Sequence, residues 1–266
     1  MKRELLHIWG PFSIYSYGLA MAIGVLAFMW LALRHPWRAA IISKEKFIET
    51  VCISLIVGLA GARLLFIINS LHKFDSFGEL FSLWSGGLSV LGGIIAILAF
   101  LPWYLKKIKV PVFPLLDLAA LFAPLLHAIA RLGCFMAGCC YGQITNVPWA
   151  VIYTDTQTEA PLHVPLHPTQ LYTSALLFIT FLFFYFVLQK KVRCSGQLLM
   201  IYLMVEGFLR FSMDFVRADI EYFTFDSAHL FSAHQWIGLL MCLGSFIGFV
   251  IASKRCNPLP VQQTQA

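Results

Sequence analysis

Long apolar runs separated by short polar joints set the pattern of this chain. Seven runs come close to the roughly 20 residues that a helix needs to cross a bilayer's hydrocarbon core. They lie near 13–33, 48–69, 86–105, 112–131, 169–189, 197–217 and 235–252. The run at 112–131 is the least uniform, because Pro114, Asp117, Pro124 and His127 interrupt it. It still counts as a span, since membrane helices tolerate proline where neighbours take up the freed backbone groups. The pattern predicts an all-α integral membrane protein, one domain over residues 1–266, with seven transmembrane helices. The polar joints near 70–85, 143–168 and 218–234 become its longer loops.

Composition agrees. Of 266 residues, 59% are hydrophobic and only 12% charged, where a soluble domain carries about 25% charged residues. The mean hydropathy is +0.78. No internal repeat marks a transporter built from two related halves. The first apolar run begins like a signal peptide, but no small-residue cleavage site follows it, so it is expected to stay as a helix.

Charge then gives sidedness. The net charge of +6 does not read as nucleic-acid binding, because the basic residues form short clusters between apolar spans and no nucleic-acid motif accompanies them. Arg34, Arg38, Lys44 and Lys46 follow the first run, and Lys106, Lys107 and Lys109 the third. Lys190, Lys191 and Arg193 follow the fifth, and Lys254 and Arg255 the seventh. The alternate loops hold only Lys73. The positive-inside rule puts the basic clusters and the C-terminus in the cytoplasm, with the N-terminus and the three lysine-poor loops outside. Lys2 and Arg3 run against this and are outvoted by twelve basic residues.

Charges inside apolar spans are expensive and point to function. Arg63 lies about 15 residues into the second run, roughly 22 Å from its start at 1.5 Å per residue. Arg131 is expected to end the fourth. In the sixth, Glu206, Arg210, Asp214 and Arg217 fall at helical spacing and predict one continuous stripe. Four arginines from three spans thus project to similar outer-half depth, with Glu206 and Asp214 neutralising them only in part. Guanidinium groups bind phosphate bidentately, so an anionic lipid headgroup is the expected ligand. A ladder of ion pairs that locks the bundle, or arginines reaching to the interface, would leave the same sequence.

Further features cluster near the same depth. WSGGLSVLGG, Trp84 to Gly93, allows close backbone approach to a ligand or a neighbouring helix. LHPTQLYTS, Leu166 to Ser174, opens the fifth run; Pro168 suits a first helical turn. It offers His167, Gln170 and Tyr172, although an interfacial aromatic belt would explain Tyr172 alone. RLGCFMAGCCYG, Arg131 to Gly142, places Cys134, Cys139 and Cys140 just after Arg131. The cysteines fit three roles: a disulfide, reactive thiols near a cation, or small packing residues. Cys52, Cys194, Cys242 and Cys256 complete an odd, dispersed set that does not read as a disulfide framework. No metal is expected, since the motif alone has too few ligands, even with His163 and His167 nearby.

These blocks carry a resemblance. SYGL (Ser16 to Leu19), GARLLF (Gly61 to Phe66), GGLSVLGG (Gly86 to Gly93), RLGCFMAGCCYG, HPTQLY (His167 to Tyr172) and FLRFSMDFVR (Phe208 to Arg217) occur in the order seen in prolipoprotein diacylglyceryl transferases. The chain resembles that family over nearly its whole length. The resemblance implies an enzyme of the bacterial plasma (inner) membrane, its active site toward the outer leaflet. The implied reaction moves the diacylglyceryl group of phosphatidylglycerol onto the lipobox cysteine in the signal peptide of a preprolipoprotein, releasing glycerol phosphate. It implies no cofactor. By position, Arg131 and Arg210 would be the phosphate-binding catalytic arginines, with Tyr17 from the first span. Arg63, Gly142, Asp214 and Arg217 match further motif positions.

Several positions depart from the family pattern. Leu91 stands where a functional histidine is usual, and leucine cannot carry a proton. Cys134 replaces an asparagine and Cys139 a glutamate of the signature. Thr173 and Asp214 each stand where a glutamate is usual. His127, one turn before Arg131, is either a core histidine or a replacement for the lost proton carrier. Alternatives that keep the fold are a diverged paralogue acting on an anionic lipid with another acceptor, a membrane thiol-redox protein with a quinone or prenyl-lipid partner, and a non-enzymatic lipid-binding or transport protein.

Overall fold

A computed structural model describes residues 3–9, 12–71, 87–218 and 230–259. Two short strands, β1 (Glu4–Trp9) and β2 (Phe12–Tyr15), pair antiparallel and lead into α1 (Ser16–Arg34). A short helix α2 (Pro36–Ile41) precedes α3 (Lys44–Asn69), followed by α4 (Val90–Lys107) and α5 (Val112–Ala137). Two-residue strands β3 (Val151–Ile152) and β4 (Pro165–Leu166) pair within the following loop. The helices α6 (Thr169–Phe186), α7 (Gln197–Met213) and α8 (Ala233–Lys254) complete the chain.

Each of the seven apolar runs coincides with one long helix. Six are long and apolar enough to cross a membrane, α6 being counted together with the 3-10 turn Leu188–Lys190. The remaining one, α7, has 17 residues and carries Glu206 and Arg210. Large apolar side chains such as Leu26, Ile56, Leu98 and Leu240 stay exposed along the helices, as a lipid-facing surface requires. A bilayer favours this arrangement because every helical backbone group is bonded within its own segment.

The least uniform run became the centre of the bundle. Among the six spanning helices, α5 is the most buried, and it packs against α1, α6 and α7. Its interruptions have local explanations. Pro124 is fully buried inside the helix. Asp117, also fully buried, accepts hydrogen bonds from the backbone N–H groups of Gly196 (2.5 Å) and Leu199 (2.8 Å). It therefore serves the start of α7, where backbone donors lack helical partners and the helix dipole favours a negative charge.

Glycines set two close helix pairs. A Cβ at Gly92 of α4 would fall 2.4 Å from the Gly61 carbonyl oxygen of α3. The glycines of the GGLSVLGG block that lie in α4 thus serve helix packing; Trp84, Ser85 and Gly86 lie outside the described residues. A Cβ at Gly133 of α5 would fall 2.8 Å from the Ala20 side chain and 3.1 Å from the Tyr17 backbone of α1.

The basic clusters gather at one end. His35 bonds Gln189 at 2.9 Å, Tyr104 bonds Glu49 at 2.9 Å, and the Leu259 N–H donates to the Arg193 carbonyl at 3.2 Å. Cys194 and Cys256 form a disulfide at this end, the other five cysteines being free. Sequence spacing hid the pair, because the two cysteines are 62 residues apart and meet only through the α7–α8 return. Arg3 is at the opposite end. Its backbone N–H meets Asp155 at 3.3 Å and its guanidinium meets Glu159 at 3.7 Å. Acidic residues of the 143–168 loop thus surround the basic residue that ran against the charge rule.

Candidate active site

One cleft collects most of the predicted residues. His127 and Arg131 enter from α5, and Thr169, Gln170 and Thr173 from the first turns of α6. Glu206 and Arg210 enter from α7, Asp214 and Arg217 from the turn after it, and His234 from the start of α8. Cys140 completes the polar lining.

The stripe on the sixth run is only half helical. α7 ends at Met213, and Asp214 closes it. Arg217 belongs to an antiparallel bridge with Gly142, supported by a hydrogen bond from the Gln143 N–H to the Val216 carbonyl at 2.9 Å. The loop after α5, rather than helical periodicity, therefore brings Arg217 to the cleft. Arg131 also differs from expectation. α5 runs on to Ala137, so Arg131 sits about 9 Å inside the helix end at 1.5 Å per residue.

No ladder of ion pairs runs along α7 among the described residues. Glu206 instead bonds across to α5: its Oε1 lies 2.7 Å from His127 Nδ1 and also accepts from the Tyr202 hydroxyl at 2.9 Å. Arg131 Nε donates to His127 Nε2 at 3.2 Å. An arginine nitrogen only donates, so Nε2 accepts and Nδ1 carries the proton given to Glu206. Both ring nitrogens are thus engaged. Sequence reasoning left His127 between a core residue and a proton carrier. The structure makes it the link that holds Arg131 against Glu206.

The other carboxylate is engaged too. The Ser232 hydroxyl donates to Asp214 Oδ2. Ser232 also forms a reciprocal cap with Gln235 at the start of α8. Asp214 Oδ1 and His234 Nδ1 face each other at 3.8 Å, each buried without a hydrogen bond among the described residues. Sequence reasoning missed His234. The Ser-x-x-Gln capping pattern at 232–235 was the signal that placed it in a first helical turn beside a polar site. Three guanidinium groups against two carboxylates leave the cleft positive. Among the described residues, the Arg210 guanidinium has no hydrogen bond or ion pair.

The cysteine turn packs against this cleft. Gly138 closes α5 in the left-handed conformation with φ of 74°, and both its N–H and that of Cys139 bond the Cys134 carbonyl. Gln170 Nε2 donates to the Cys139 carbonyl at 2.7 Å, and the Thr169 hydroxyl to the Cys140 carbonyl at 2.8 Å. Gln170 also reaches the Tyr153 hydroxyl at 3.4 Å, which burial pushes up to about 12. The three sulfurs lie within 4.8 Å of one another. All three are free thiols, so the disulfide considered for this cluster is not formed.

Other predicted residues stand outside the cleft lining. Tyr17 of α1 lies against Gly133, within electrostatic reach of Arg131 and the cysteines. Arg63 is buried and donates to the Gly87 carbonyl at 3.0 Å. It belongs to the α3–α4 pair, so three of the four arginines converge rather than all four. His167 Nδ1 bonds the Tyr172 hydroxyl at 3.2 Å, which accepts from the exposed Trp149 at 2.6 Å. The three side chains form one hydrogen-bonded aromatic group beside the start of α6. Gly142 places its N–H 3.0 Å from the His167 carbonyl, joining the cysteine turn to the start of α6. Leu91 is exposed on the first turn of α4.

Comparison with known proteins gives a consistent result. A sequence model of the prolipoprotein diacylglyceryl transferase family matches residues 3–256. The chain is 30% identical to the phosphatidylglycerol–prolipoprotein diacylglyceryl transferase of Clostridium tetani over 248 residues, covering 93% of this chain and 96% of that protein. It is 32% identical to the protein of that name from Vibrio vulnificus strain CMCP6, covering 78% of this chain and 76% of the relative. It is 33% identical to the one from Dehalococcoides mccartyi strain BAV1, covering 80% and 81%. With its apolar helices and its arginine cleft, the chain is a multi-pass membrane protein that belongs to the prolipoprotein diacylglyceryl transferase family.

Proposed function

We propose that this enzyme transfers the diacylglyceryl group of phosphatidylglycerol to the lipobox cysteine of a preprolipoprotein and releases glycerol phosphate. The observation that carries this is the convergence of Arg131, Arg210 and Arg217 on one cleft, with no hydrogen bond or ion pair to the Arg210 guanidinium among the described residues. Displacement at the glyceryl carbon makes a phosphate monoester leave. Its charge grows in the transition state, and preorganised cations stabilise that growth more than they stabilise the bound lipid. In this proposal Arg131, held by His127, and Arg210 take that role, with Arg217 in the same cleft and Tyr17 acting from α1. Gln170, Glu206 and Asp214 hold the cleft's shape and charge; Arg63, Gly142, His167 and Tyr172 support the walls that admit lipid and peptide.

The topology belongs to the same proposal: one domain of seven spans in the bacterial inner membrane, N-terminus outside and C-terminus cytoplasmic. The basic clusters sit at one end of the helices and Arg3 with the 143–168 loop at the other. That arrangement supports a cleft opening toward the outer leaflet. The test is headgroup dependence. Purified protein in phosphatidylglycerol vesicles should lipidate a lipobox peptide, and phosphatidylcholine vesicles should give no product. Equal rates from both lipids would overturn the arginine cradle as the basis of recognition.

A further inference from the structure

The three thiols of the cysteine turn have no place in the reaction as proposed, although one of them lines its cleft. Cys134 lies in the last turn of α5, the left-handed Gly138 reverses the chain, and Cys139 and Cys140 return toward the same point. Their sulfurs all lie within 4.8 Å of one another. Zinc binds thiolate sulfur at about 2.3 Å, so sulfurs around a tetrahedral ion stand about 3.8 Å apart. The turn is within about an ångström of that spacing. These three thiols are unjoined.

We propose that Cys134, Cys139 and Cys140 form a three-thiolate site for zinc or a similar thiophilic divalent ion, with its fourth position open to the cleft through Cys140. Three protein ligands with an open position is the arrangement of catalytic rather than structural zinc. Three thiolates and one divalent ion carry a net charge of −1, which Arg131 and Arg217, lining the same cleft, stabilise. The site resting on the proposed transfer reaction then has a definite use. A lipobox thiol that takes the fourth position loses its proton to solvent and is held as a thiolate. Its sulfur lone pair forms the S–C bond to the glyceryl carbon as the C–O bond to phosphate breaks. The electron pair of that bond leaves with glycerol phosphate, and the thioether is replaced on the metal by water. No separate general base is needed, in a cleft where His127 has both ring nitrogens engaged.

The test uses full-length, tag-free protein purified under reducing conditions and titrated with Co²⁺ as the spectroscopic probe. One equivalent should bind with thiolate-to-cobalt charge-transfer absorption. Zn²⁺ should displace it. Cys134→Ser, Cys139→Ser and Cys140→Ser should each weaken binding at least about 100-fold, beyond what loss of a supporting hydrogen bond costs. Cys52→Ser and Cys242→Ser should bind normally. A lipobox-cysteine peptide should shift the cobalt bands, and its serine counterpart should not. Substoichiometric uptake by wild-type protein whose three thiols alkylate freely would overturn the site. So would undiminished uptake by the triple serine variant, or recovery of a disulfide among the three from cells. The two proposals fail separately. Protein that binds the metal but lipidates nothing would overturn the transferase reaction and leave the metal site standing. Full lipidation after metal is stripped and shown absent would overturn the metal's part in the transfer and leave the reaction standing.

Discussion

Replacing His127 by alanine removes the link between Arg131 and Glu206, and its size can be worked from two hydrogen bonds. The imidazole accepts from Arg131 Nε at 3.2 Å and donates to Glu206 at 2.7 Å. A hydrogen bond to a charged group is worth about 1.5–3 kcal/mol. Glu206 keeps the Tyr202 hydroxyl at 2.9 Å, so its share of the loss is partly covered. The bond to Arg131 remains as the cost to catalysis, because an unheld guanidinium must be ordered again in each transition state. One such bond, at 1.36 kcal/mol per tenfold, lowers kcat/KM by about 10- to 150-fold. The assay is initial-rate lipidation of a lipobox peptide in phosphatidylglycerol vesicles. A positioning residue acts through its partner, so His127→Ala should add little to Arg131→Ala in the double variant. His127→Gln, whose amide offers one donor and one acceptor, should recover part of the loss. A His127→Ala rate within twofold of wild type, or losses that multiply in full in the double variant, would refute the link.

Two further outcomes test the frame around the site. Asp117→Ala strands the Gly196 and Leu199 N–H groups without their acceptor at about 1–3 kcal/mol each, and should lower Tm in detergent clearly, whereas an unchanged Tm would show that the cap contributes nothing. Cys194 and Cys256 lie at the basic end of the bundle, which the proposed topology puts in a reducing compartment. Both should therefore be alkylated by N-ethylmaleimide added to intact cells, the bond closing only after lysis in air; a bridge already present in cells would turn the proposed orientation over.

The helices were legible because a bilayer leaves little choice: a run of apolar residues long enough to span is a helix. The short pieces at the ends were not. The β1–β2 pair and α2 carry no strong periodic signal, and α2 owes its start to His35, whose ring accepts from the Trp37 N–H. Intramembrane charge located the cleft, since Arg131, Glu206 and Arg210 have no inexpensive place to be. The same logic overreached at Arg63, because depth along a helix says nothing about which neighbour the helix faces. Tertiary meetings were out of reach from one sequence. Examples are the Glu206 bond to His127 in place of an ion pair along α7, the return that joins Cys194 to Cys256, and the approach of His234 to Asp214. The cysteine turn shows why. Spacing of five and one residues gives no sulfur distance until a left-handed cap fixes the path between them.

The central claim is that the arginine cleft drives phosphate departure during transfer to a thiol. The most direct measurement follows both products from purified protein in bilayers of labelled phosphatidylglycerol with a lipobox-cysteine peptide. The account predicts glycerol phosphate and lipidated peptide in equal amounts. Both should fall at least about 100-fold in Arg131→Ala and Arg210→Ala, the range seen when one preorganised charge-stabilising donor is removed. Glycerol phosphate without lipidated peptide, or full product from either arginine variant of folded protein, would contradict it.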